Sequence, residues 1–85
     1  MESIIQKIKE NIADVLNKEE IVIDSITFER EGKYNFLRIV LDASGGIDLD
    51  TIVKATNLIN PILDKLDLIE EEYILDVLSK ERGNE

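Results

Sequence analysis

Apolar residues open the chain at Ile4, Ile5, Ile8, Ile12, Val15 and Leu16, with Lys7, Lys9, Glu10 and Asp14 among the positions between them. Spacings of three and four are those of one helix face, and they predict an amphipathic helix from about Ser3 to Asn17. Ser3, followed three residues on by Gln6, fits a capping box in which each side chain satisfies a backbone N–H near the helix start. The rhythm then changes from the helical period to alternation. In Glu20 to Arg30, EIVIDSITFER, Val22, Ile26 and Phe28 share one parity with Asp24, while Ile21 and Ile23 share the other with Ser25, Thr27 and Glu29. We expect the Val22, Ile26, Phe28 face of this strand to pack inward, with Asp24 near an edge or end; a bulge would switch faces partway.

Alternation is cleaner from Tyr34 to Asp42, where Leu37, Ile39 and Leu41 fall on one face and Tyr34, Phe36, Arg38 and Val40 on the other. The polar stretch Arg30-Glu31-Gly32-Lys33, with Gly32 at positive φ, joins the two runs as an antiparallel hairpin. After the second strand, Ser44-Gly45-Gly46 supplies a sharp turn. Asp48 stands at the N-cap position of a helix whose stripe is Leu49, Ile52, Val53, Ile59, Leu63 and Leu66, broadened by Leu58 and Ile62. Pro61 cannot donate to the carbonyl of Asn57, so a kink is expected there rather than a break, because the apolar rhythm continues past it. The polar connection Asp67 to Glu72 lets Leu68 and Ile69 tuck beneath it. Tyr73 to Ser79 then reads as a third strand, apolar on both faces and so central or doubly covered. Residues 1–79 are expected to form one domain, and residues 80–85 a polar, frayed tail.

Composition narrows what such a domain does. A chain of 85 residues supports a single core that buries about 60–65% of its unfolded surface. Cysteine and histidine are both absent, which excludes a disulfide framework, a thiol nucleophile, Cys or His zinc sites and an imidazole proton shuttle. No enzyme activity and no cofactor are expected. No segment approaches the ~20 apolar residues of a membrane span or carries the pattern of a signal peptide, so a cytoplasmic location without membrane attachment is expected. A net charge of −9 disfavours extensive nucleic-acid binding and favours a basic protein partner.

The glycine turn invites two ligand readings, and neither has the required pattern. Asp42, Asp48 and Asp50 lack the ligand spacing of a calcium loop. Capping accounts for them better: Asp48 bonds first-turn N–H groups, Asp50 complements the helix dipole and Asp42 bonds the turn backbone. Gly45-Gly46 has neither the Walker nor the dinucleotide glycine pattern, and the neighbouring aspartates would oppose a phosphate. Gly32, Gly45, Gly46 and Asp48 are thus structural. Glu70, Glu71 and Glu72 lie in a charged run with nothing apolar to raise a carboxyl pKa, which suits a solvated face better than acid–base work.

Taken in order, LRIVLD (Leu37 to Asp42), GGIDLDTI (Gly45 to Ile52) and DLIEEEYILDVLS (Asp67 to Ser79) resemble strings of the N-terminal domain of the RimP-type ribosome maturation factors. There the counterparts run approximately LRVYID, GGVTLDDC and DPIPEAYTLEVSS, and the turn Arg30-Glu31-Gly32 also matches. Leu68 and Glu70 stand where that family usually has prolines. Leu78-Ser79-Lys80-Glu81 stands where it usually has Ser-Ser-Pro-Gly, leading into a second, SH3-like domain; the sequence leaves open whether the chain is cut, shortened or divergent. The resemblance implies an α+β two-layer sandwich in the order helix-strand-strand-helix-strand, with both helices on one face of a small, mostly antiparallel three-stranded sheet. It also implies a non-enzymatic role in late assembly of the small ribosomal subunit. The same element order occurs in one KH-type RNA-binding arrangement, but the nucleotide-clamping G-x-x-G loop is missing here.

The partner expected on these grounds is the small ribosomal subunit, reached through a basic ribosomal protein, with little direct nucleic-acid contact. Asp67, Glu70, Glu71, Glu72 and Asp76 are candidates for a steering face, and Phe36 and Val40 for a contact surface if they are exposed together. The alternative is a stand-alone interaction or regulatory module that homodimerises or binds a peptide through its sheet.

Overall fold

The computed structural model describes residues 2–80. Two helices and three strands follow one another as α1 (Glu2–Asn17), β1 (Val22–Glu31), β2 (Tyr34–Asp42), α2 (Leu49–Leu66) and β3 (Ile74–Ser79). The strands lie in the order β1-β2-β3, β1 antiparallel and β3 parallel to β2. The sheet is therefore mixed, which corrects the expectation of a mostly antiparallel one. The lengths explain it: α2, at 18 residues, spans ~27 Å and β2, at nine, ~30 Å, so the helix carries the chain back to where β2 began and β3 starts from the same end.

One core lies between the sheet and the helices. Leu37, Ile39 and Leu41 of β2 meet Ile8, Ile12 and Leu16 of α1 and Ala55, Ile59 and Leu63 of α2, and Ile21 and Ile69 close its ends. The three β2 side chains are fully enclosed. Each buried aliphatic side chain contributes about 1.5–3 kcal/mol of transfer free energy, so this inner face of β2 is the densest source of stability in the domain.

On β1 the inward residues differ from the sequence expectation. Val22 pairs with Asp42 and is exposed, and Ile23, opposite Leu41, packs on the core in its place. The register then skips at Asp24, so Ser25 faces Val40 while Ile26 and Phe28 lie opposite Ile39 and Leu37. Asp24 is the extra residue of a bulge, and inserting one residue reverses the parity of everything before it. Phe28 meets Tyr73 edge to face, with ring centroids 6.5 Å apart.

Three further local expectations meet the structure. Ser3 sits within the first turn of α1, and Gln6 donates to Glu10 Oε2 (3.2 Å) instead of reaching back in a capping box. Helix α2 runs without a break through Pro61, an exposed position where the carbonyl left without an N–H partner, on exposed Asn57, is open to water. Strand β3 lies at the edge of the sheet, with Ile74 and Leu78 45% and 38% exposed, so its second apolar face is uncovered and the central placement is corrected. Of the tail expected over residues 80–85, all but Lys80 lies outside the described residues; Lys80 itself donates its backbone N–H to Leu41 (2.8 Å).

Both helices end on a left-handed residue that is not glycine: Glu20 after α1 (φ 62°) and Asp67 after α2 (φ 45°). After α1 the amide of Glu20 bonds Asn17 O (2.9 Å) and that of Ile21 bonds Leu16 O (3.0 Å), while Leu16 and Ile21 are buried in the common core. This is a Schellman ending with its hydrophobic contact, built around a residue with a Cβ penalty at positive φ. Glu20→Gly is therefore expected to raise the unfolding free energy by about 1 kcal/mol, read from urea denaturation midpoints; an unchanged or lower midpoint would contradict the strain at this cap.

Candidate functional site

Both helices cover the same side of the sheet, and among the described residues no element covers the other side. Alternation along β2 puts Tyr34, Phe36, Arg38, Val40 and Asp42 there, and the registers set Glu29 and Ile74 beside Phe36, Thr27 and Asp76 beside Arg38, and Ser25 and Leu78 beside Val40. Phe36 and Val40 are half-buried rather than freely exposed. The more exposed apolar groups are their β3 neighbours Ile74 and Leu78, with Val22 and Tyr34 farther out.

Arg38 occupies the centre of this face, a position to which sequence reasoning assigned no role. Its Nη1 donates to Glu29 Oε1 (2.7 Å) and Glu31 Oε2 (2.9 Å), its Nη2 to Glu31 Oε1 (3.2 Å) and its Nε to Asp76 Oδ2 (3.0 Å). The guanidinium carbon lies 5.0 Å from the centroid of the Phe36 ring. The fork of Arg38 thus grips Glu31 with two nitrogens and one neighbour on each side, and its cation sits over an aromatic ring. The hydrogen bonds it donates to Glu31 and Asp76 hold the guanidinium proton more firmly than usual, and the Arg38 hydrogen bond, followed by its charge, holds the Glu31 carboxyl below its ordinary range. Three carboxylates share one cation, so the centre of the face keeps a negative excess. A signal for Arg38 existed in the sequence: it shares the parity of Phe36 and Val40, and a two-residue loop after Glu31 brings Glu29 and Glu31 alongside. Using it required the hairpin register.

Asp76 belongs to this cluster, whereas Asp67, Glu70, Glu71 and Glu72 do not. Asp67 is the C-cap of α2, its amide bonded to Leu63 O (2.9 Å), and the three glutamates are exposed along the connection to β3. The carbonyl of Glu72 accepts from Asn35 Nδ2 (3.1 Å), which ties that connection to the start of β2. Near it, partial burial pushes the Tyr73 hydroxyl pKa up, and Asp64 and Asp67 add to the effect. The candidate residues therefore fall into two groups: Phe36, Val40 and Asp76 on the open face, and an acidic ridge leading into β3.

The glycine turn is a separate structural region. Gly46 N bonds Ala43 O (3.0 Å), and Gly45 (φ 84°) takes the third position of that turn, which demands positive φ. Asp42 Oδ1 accepts from Ala43 N (2.9 Å), and Asp48 Oδ1 accepts from both the amide (2.8 Å) and hydroxyl (2.7 Å) of Thr51. Those two bonds, the hydroxyl's first, hold the Asp48 carboxyl below its usual pKa. In the hairpin, Gly32 (φ 64°) begins a two-residue loop between the paired Glu31 and Tyr34. Among the described residues no group of three or more His, Cys, Asp or Glu side chains is arranged to hold a metal ion.

Two pH-dependent outcomes follow from the lowered carboxyl groups. A carboxyl that ionises more readily when folded stabilises the protein fully above its unfolded pKa, and that contribution is lost as pH falls through the folded value. Asp48→Ala is expected to lower the melting temperature by about 5 °C at pH 7, with the deficit fading below about pH 4. Arg38→Met leaves Glu29, Glu31 and Asp76 without their cation, so its melting temperature is expected to fall below the parent's at pH 7 and to recover most of the difference as the pH drops below about 4. Thermal scans by circular dichroism between pH 2.5 and 7 check both; a deficit that persists undiminished at acid pH would contradict the assignment.

No helix among the described residues is long and apolar enough to cross a membrane. Residues 5–80 of the chain are matched by the family model for the RimP N-terminal domain. That match covers nearly the whole chain, and the protein belongs to the RimP N-terminal domain family of the ribosome maturation factors.

Proposed function

We propose that this domain assists late assembly of the small ribosomal subunit as a non-enzymatic binding module in the cytoplasm, meeting the subunit through a basic ribosomal protein. The observation that carries this is the family match over residues 5–80. The chain's charge of −9 supports the choice of partner, because it repels a phosphate backbone and attracts a cationic surface at a distance. The open sheet face adds apolar contact area, from Phe36, Val40, Ile74 and Leu78, around a centre rich in carboxylates. Asp67, Glu70, Glu71 and Glu72 supply further negative charge at one end of β3.

A second reading, in which the domain stands alone and homodimerises or binds a peptide through its sheet, draws on the exposure of Ile74 and Leu78. Sedimentation separates the two. The full chain is expected to co-migrate with immature small subunits at low salt and to be released as ionic strength rises past about 0.3 M. Absence of co-migration at any salt, together with a mass by light scattering that grows with concentration, would instead favour the stand-alone module.

A further inference from the structure

The two edges of the sheet are not alike. On β1 the edge carries a bulge at Asp24 and ends in the charged run Glu29-Arg30-Glu31. Bulges and charges are devices that keep an edge from pairing with another chain. Strand β3 has none of them over Ile74–Ser79: no proline, no glycine, no bulge, and one charged residue, Asp76, held on the open face by Arg38. Lys80, at its end, is drawn to Asp24 (3.2 Å).

The direction of the free backbone groups follows from one hydrogen bond. The amide of Lys80 donates to Leu41 O, so residue 80 points its N–H toward β2. Alternation along the strand then turns Leu78, Asp76 and Ile74 toward β2 and Ser79, Val77 and Leu75 away from it. Among the described residues no strand lies beyond β3, so the N–H and C=O groups of Leu75, Val77 and Ser79 form an unpaired ladder edge. Ile74 and Leu78 stand beside it on the open face, exposed.

We propose that β3 is where the partner is gripped: an extended, basic segment of another protein adds as a fourth strand along Leu75, Val77 and Ser79. On the open face its apolar side chains rest against Ile74 and Leu78 and a cation between them lies beside Asp76, with further cations near the run Glu70-Glu71-Glu72. Charge selects this occupant over a second copy of the chain, which would bring −9 against −9 and set one acidic run against another acidic surface. Main-chain pairing supplies affinity with little demand on sequence, and the carboxylates supply preference for a basic strand. This docking mode rests on the basic-protein reading above and adds to it the surface and the manner of contact.

The test uses the full, isotope-labelled chain and the capped nonapeptide Thr-Val-Thr-Lys-Thr-Val-Thr-Lys-Thr, whose valines and lysines share one strand face, beside the same peptide N-methylated at every residue. Binding of the parent peptide is expected to slow amide hydrogen exchange at Leu75, Val77 and Ser79 by at least about tenfold, and the methylated peptide, which keeps the charge but has no backbone donors, is expected to do nothing. Ser79→Pro removes one outward N–H at an exposed site without touching the bonds to β2. It is expected to keep the melting temperature within about 3 °C and to weaken the peptide at least about tenfold. Equal binding of both peptides, shifts centred on α2, equal binding by Ser79→Pro, or protection that grows with the chain's own concentration would each overturn edge docking, and the peptide pair decides even if the variant fails to fold. Small subunits separate this from the maturation role. If Ser79→Pro co-sediments as the parent does, edge docking falls and the role stands; if the parent fails to co-sediment yet binds the peptide at β3, the role falls and edge docking stands.

Discussion

Everything in this domain depends on the period-two alternation of β2. Among the described residues it is the only strand with a neighbour on both sides, and its Leu37, Ile39 and Leu41 are enclosed completely by the two helices. A slip of one residue would turn those side chains to solvent and bring Phe36, Arg38 and Val40 into the core, so burial fixes the register of the sheet. The hairpin loop at Gly32 hands that register to β1, and the bulge at Asp24 lets Ile21 and Ile23 rejoin a core they would otherwise miss.

The same alternation creates the open face, since a side chain that cannot face the helices must face outward. Arg38 shows how an acidic chain manages this surface. With three carboxylates around one guanidinium, the face is ordered by fork geometry rather than neutralised. Exposed ion pairs contribute little to stability individually. The patch they order is apolar at its margins and negative at its centre.

The departures from the family strings have structural counterparts in the connection before β3. Where prolines are usual, Leu68 is half-buried against the core and Glu70 is exposed, while Ile69 between them is buried. An apolar plug under the connection does here what a proline does by stiffness: it limits the paths from α2 to β3. Asp67 begins that path in the left-handed region, and the bond from Asn35 to Glu72 O ends it. The acidic ridge is thus held at both ends and keeps a defined position beside the edge strand.

The sequence by itself determined the elements, their order and the inner face of β2, because these depend on spacings of two, three and four residues and on local chemistry such as Asp48 before α2 and glycine at positive φ. The resemblance to the RimP N-terminal domain was legible for the same reason, in strings whose order is preserved. What only the tertiary structure decided was set by residues far apart in the chain. The parallel direction of β3 came from the length of α2, and its edge placement from β1 occupying the other side of β2; the inward turn of Ile23 in place of Val22 came from a bulge; and the contacts of Arg38 came from carboxylates on two neighbouring strands. Local patterns record which faces a segment offers, and only packing decides which of those faces is covered.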